Sequence, residues 1–351
     1  MPEVRERLTR WWNGGDIGRP MIQITAPRDE LLEELETVEE PPGWVTRYST
    51  SNYSYREYLA RVGPTRTHYL GDAVPTVSPD LAPNCLALYL GCEGVDMPGT
   101  VWCRPVIYDP DDTAFEFDES NFYWQFTLRL GSAMQRICDS RCLIQFPDLI
   151  EGLDTLEAMR GAEKLILDLY DRPDWVRNSL DKITELYFAY YDRLYDMFKD
   201  ETGGSVFWAW APGRMAKLQC DFSAMIGPQM YREFMVPVLE TMTRKFDHCM
   251  YHWDGPGAIP HHDHILGLEH LDMIQWTPGE GVEPTTDSRW WPLYHKTVEA
   301  GKKLMIGGVA TREHVEVFKR EFGRKFKQFL ITGRADSVEE AEAIIHAAEV
   351  D

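Results

Sequence analysis

Short apolar runs alternate along this chain with longer stretches whose apolar positions recur at helical spacing. Pro20–Ala26, Ala73–Val77, Cys142–Phe146, Val206–Ala211, Cys249–Trp253, Met273–Trp276, Lys303–Ile306 and Phe329–Thr332 each read as a strand. Helical patterns lie between them, over Asp29–Glu40, Pro173–Phe198 and Pro228–Phe246. Ser337, followed three residues on by Glu340, is a capping box that opens a last helix. Pro83–Glu119 lacks such regularity, and its glycines, prolines and aromatics predict a long excursion or β-hairpin above the core. Eight short strands separated by helices predict an α/β protein. The expected architecture is a (β/α)8 TIM barrel, a single domain over residues 1–351 with an irregular excursion after the second strand. A doubly wound sheet is the competing architecture.

Composition narrows the classes of partner. Hydrophobic residues make up 44% of the 351 positions and aromatics 12%, enough for a large core. Asp and Glu total 57 against 36 Lys and Arg, a formal net charge of −21. That balance argues against nucleic acid and anionic membrane surfaces, both of which attract clustered cations. No run of about 18 apolar residues occurs, so no membrane span is expected. The opening MPEVRERLTRWW is charged and lacks an apolar signal core, which predicts a cytoplasmic protein. Seven cysteines, an odd number without a C-x-x-C pair, argue against disulfides. Cys138 and Cys142 read as a helix end leading into a strand.

The candidate chemistry centres on Met250–Gly257. Side chains two apart on a strand point the same way, so His252 and Asp254 project together just before a Gly/Pro turn. They form either a catalytic or metal-binding pair or a structural hydrogen bond at a strand end. The other residues that follow strands are Arg28, Asp80, Asp148, Trp208 with Trp210, Trp276 with Glu280, Gly308 and Arg334. Arg28 and Arg334 are candidate carboxylate clamps, with surface ion pairs as the alternative. Trp208, Trp210, Trp253 and Trp276 form either an aromatic cage for a methylated ammonium or part of the core. Glu280 can join His252 and Asp254 around a divalent metal such as zinc. Asp80 is either an acid at the mouth or a turn-forming residue.

Leu218–Pro228, followed by Tyr231–Pro237, resembles the mid-chain segment of the uroporphyrinogen decarboxylase superfamily. The His252-to-Gly255 strand resembles that family's His-x-x-Gly strand, and the helix start at Ser337 also fits. The resemblance covers Val206 to the carboxyl end best. It implies a (β/α)8 barrel, with Asp221 among the substrate-binding residues together with Arg28, Trp208, Trp210, Trp276 and Arg334. Decarboxylases of the superfamily use no cofactor, bind substrate carboxylates through arginines, and stabilise charge with an aspartate that Asp80 matches. Where they carry two arginines after the first strand, this chain has at most Arg28. The methyltransferase branch holds zinc through a His-x-Cys pair and a further cysteine, and passes methyl groups to thiols, folates or corrinoid proteins. Here the pair is His252-x-Asp254, and Arg334 occupies the region of the last strand. The expected activity is demethylation of a small methylated substrate, with zinc at the site and a corrinoid protein or folate as acceptor. The alternative is a cofactor-free decarboxylase of a carboxylated substrate. A homodimer is the expected assembly.

Overall fold

The computed structural model describes residues 2–139 and 141–349. In chain order its strands are β1 (Met21–Pro27), β2 (Thr67–Gly71), β3 (Thr76–Val77), β4 (Glu93–Met97), β5 (Thr100–Arg104), β6 (Leu143–Ile144) and β7 (Ser205–Phe207). Then follow β8 (Ala209–Ala211), β9 (Met215–Gln219), β10 (His248–Asp254), β11 (Met273–Thr277), β12 (Lys303–Ile306) and β13 (Phe329–Arg334). A seven-stranded sheet runs in the order β2-β1-β13-β12-β11-β10-β9, parallel throughout except that β2 lies antiparallel to β1. β3 and β6 form a short parallel ladder, and a bridge from Gln145 to Val206 continues it to β7. The expected ring of eight paired strands is thus realised as a barrel-like set of ladders. Among the described residues, no continuous hydrogen-bonded ring closes.

The parallel strands are apolar runs because helices cover their outer faces. The helix Pro173–Phe198 supplies one such cover, burying Val176, Leu180, Ile183, Tyr187, Tyr191 and Leu194. A single hydrophobic cluster extends from Leu8 to Ala348. The excursion after the second strand is a short helix, Cys85–Tyr89, and the β4–β5 hairpin. At the last helix the Ser337 hydroxyl accepts from the Glu340 amide at 3.2 Å, while the Glu340 carboxylate accepts from the Asp336 amide at 2.9 Å.

Four expectations need correction. Asp29–Glu40 is not helical; Leu31, Leu32 and Val38 are exposed, so its amphipathic pattern has no surface to bury against. Val206–Ala211 is a tight antiparallel hairpin rather than one strand, reversing at Trp208 with φ 59°. Met215–Gln219 is an additional strand. Cys138 and Cys142 are joined by a disulfide, because Asp139 adopts the left-handed conformation (φ 41°) and turns the chain back. Their Cα atoms come within 5.0 Å, a span a disulfide can bridge.

Candidate functional site

Strand register places the polar side chains. His252 pairs with Gln219 on β9 and with Gln275 on β11, so the three share one level of the sheet and one face. Period-two alternation adds Lys217 below them, and Asp221 and Asp254 above. Gly255, at φ 74°, takes a conformation that side chains resist and so turns the chain immediately after Asp254.

Asp221, His252 and Asp254 each offer a ligand atom, and these atoms lie within 4.8 Å of one another. His252 Nε2 is 3.9 Å from an Asp254 carboxylate oxygen. The Gln275 amide nitrogen donates to Thr277 Oγ1 (2.8 Å) and to the Trp276 carbonyl (3.1 Å). Its amide oxygen is therefore left to accept from His252 Nδ1, with which it is in close contact. With the proton fixed on Nδ1, Nε2 carries the lone pair and faces the two carboxylates. Burial and the nearby Lys217 charge push the His252 pKa down, favouring the neutral ring. Asp221 is exposed on its open side. Even so, burial of the carboxyl and the neighbouring Asp154 push it up to about 7. Asp254 Oδ1 is buried and has no hydrogen-bond partner among the described residues. A neutral imidazole, two carboxylates and an orphaned oxygen form a donor set that fits a divalent cation.

A buried polar network supports this cluster. Lys217 is fully enclosed, 2.5 Å from Asp148, in contact with the Gln219 amide oxygen, and 5.1 Å from the centre of the Trp208 ring. The Asp148 amide donates to Asp80 at 3.0 Å, and burial with the Asp148 charge pushes Asp80 up to about 6. Asp154 accepts from the Asp221 and Phe222 amides at 2.8 and 2.9 Å, fixing the turn that carries Asp221. Glu151 accepts from the Gln219 amide at 2.8 Å, and burial holds its pKa well above the ordinary carboxylate range.

Of the residues singled out in the sequence, Asp221, His252 and Asp254 come together, with Trp208 beside them. The Trp208 ring meets the His252 ring edge-on at 5.1 Å. Its left-handed backbone is held by a hydrogen bond of 3.1 Å from its amide to Gln145. Asp80 lines a cavity that Trp208 also lines. Glu280 is exposed in the loop after β11 and lies outside the group of three candidate ligands, whose third member is Asp221. Trp276 is fully buried on the opposite face of β11, against Trp253 (4.7 Å) and Trp290 (5.1 Å). Trp210 is core as well, its indole N–H donating to Asp200 at 2.8 Å. No four-tryptophan cage forms, because alternation sends Trp253 and Trp276 to the outer face. Arg28 donates to the Thr67 carbonyl at 3.0 Å and lines a different cavity. Arg334 is exposed and makes no ion pair among the described residues. The two arginines form no joint clamp.

Sequence reasoning passed over Lys217, Gln219 and Gln275. Met215–Cys220 does carry a signal, since Lys217 and Gln219 alternate with Ala216 and Leu218.

No family model matches the sequence, and no curated protein matches it. Among solved structures, the chain is similar to a methyltransferase from Methanosarcina mazei, with a TM-score of 0.61. The likeness covers 98% of each chain at 12% sequence identity, and at that identity it establishes a shared fold. Among the described residues, no helix is long and apolar enough to cross a membrane.

Proposed function

We propose that this protein is a methyltransferase of the (β/α)8 barrel type that takes a methyl group from a small methylated compound. Asp221, His252 and Asp254 would hold a divalent ion, with zinc the expected one, and a corrinoid protein or a folate would accept the methyl group. The observation that carries this reading is the His252 Nε2 lone pair facing two carboxylates, with Asp254 Oδ1 unpartnered. The shared fold with a methyltransferase supports it.

A bound divalent ion would supply Lewis acidity toward the heteroatom that carries the methyl group. Gln275 fixes the His252 tautomer. Lys217 and Asp148 form an ion pair beneath the cluster, so the buried ammonium is compensated there. Asp80, pushed up to about 6, would keep a proton for a leaving group. Trp208 shields one side of His252 from water. The decarboxylase alternative ranks second, because it needs arginines gathered around substrate carboxylates and Arg28 and Arg334 are not gathered. Activity toward methylated amines and ethers should be lost on chelation and restored by zinc. Turnover that persists at full rate in chelator would remove this reading and favour the cofactor-free one.

A further inference from the structure

The hairpin of β4 and β5 stands beside Asp221 and walls a cavity of about 470 Å³, a size suited to a small ligand. Its sides include Trp102, Phe222 and Met225, and its polar lining includes Asp154, Glu157 and Asp221. Trp102 is 64% exposed and Met225 49%, large apolar surfaces presented at an opening rather than packed in a core.

Charge sets this cavity apart. Four other cavities each have an arginine or lysine in the lining, among them Arg28, Arg56, Arg136 and Lys303. The cavity beside Asp221 has none. Its acids are not equivalent. Both oxygens of Asp154 are taken by backbone amides, and Asp221 faces the ligand cluster. The half-buried Glu157 side chain has neither a hydrogen bond nor an ion pair among the described residues. A carboxylate without a hydrogen-bond partner and an exposed indole lining the same cavity are the chemistry that attracts a weakly hydrated cation.

We infer that this cavity binds a compact, apolar cationic group of the substrate, of the methylated-ammonium type, while the methyl-bearing heteroatom presented to the cluster is a different atom that keeps a lone pair. Glu157 and Trp102 would select it, and anionic analogues would be turned away. The inference rests on the methyl-transfer reading for its purpose, but it concerns recognition alone: the charge and size of the group by which the substrate is held. The net charge of −21 acts in the same direction, raising the local concentration of cations.

Isothermal titration of the full chain as purified, with its zinc content measured on the same sample, tests the inference. Choline is the probe, compared with its neutral isostere 3,3-dimethyl-1-butanol and with anionic 3,3-dimethylbutyrate. Choline should saturate one site, the neutral isostere should bind at least about tenfold more weakly, and the anion should give no binding heat. Glu157→Gln and Trp102→Ala should each weaken choline by about tenfold, and neither position is deep enough in the core to threaten folding. Equal binding of the three compounds, no choline binding, or wild-type affinity in either variant overturns the inference. Zinc retained alongside any of those results leaves the metal site standing, whereas choline binding without zinc does the reverse.

Discussion

Strands β10 and β11 carry tryptophan on one face and a polar cluster on the other, and the two faces obey different rules. On the outer side, Trp253 and Trp276 are fully buried among aromatic neighbours. On the inner side, His252, Asp254 and Gln275 line up with Gln219 and Asp221 of the neighbouring strand and its continuation. A one-residue step separates them, so adjacent residues in the sequence do unrelated work. The outer face is fixed chiefly by volume, with one hydrogen bond from the Trp253 indole N–H to the Ala258 carbonyl at 2.9 Å. The inner face is fixed by hydrogen-bond direction, because Gln275 decides which His252 nitrogen is free.

Substitutions on the two faces should therefore fail in different ways. His252→Ala should cost at least about a hundredfold in metal affinity and abolish turnover with little change in unfolding free energy. Trp276→Ala should cost about 3–5 kcal/mol in urea denaturation, and the fraction that remains folded should still bind metal. If the two variants showed the same pattern, the division between faces would be mistaken. Gln275→Leu tests the direction argument more finely. It keeps the volume but removes the acceptor for Nδ1–H, and should weaken metal about 10- to 100-fold, measured by competition with a chromogenic chelator. Unchanged affinity would mean that Gln275 does not set the tautomer.

Acidity gives a smaller effect of opposite sign on the two states of the protein. Without metal, Asp80 at about 6 and Asp221 at about 7 keep protons that an unfolded chain gives up near 3.8. The folded state binds more protons across that window, so stability is greatest at the acid end and falls as pH rises through it. A divalent ion displaces the Asp221 proton, so metal binding strengthens over the same rise. Thermal melts with and without zinc, from about pH 4 to about pH 8, should slope in opposite directions. Parallel slopes would show that Asp221 is not a ligand.

The comparison also explains what the sequence made legible. Pro173–Phe198 and Lys303–Ile306 coincide with observed elements because uninterrupted periodicity was matched by burial. The pairing of His252 with Asp254 needed only the two-residue period of a strand. β9 was harder to see, since its polar residues face an enclosed interior where periodicity alone predicts solvent. The Asp29–Glu40 pattern misled for the converse reason: amphipathic spacing without a partner surface does not make a helix. The sequence pointed to Glu280 as the third donor and to Asp221 as a substrate-binding residue. Only the Asp154-capped turn, which depends on contacts 67 residues apart, brings Asp221 to the cluster. The tryptophans at strand ends differ because Trp208 occupies a left-handed hairpin turn, for which no glycine gives notice.

Elemental analysis of the purified protein tests the central claim most directly. The account predicts about one equivalent of zinc or another divalent ion per chain, lost together in His252→Ala and Asp254→Ala while both variants keep a cooperative melt. Metal-free wild-type protein that gains none on dialysis against zinc, or variants that retain a full equivalent, would contradict it.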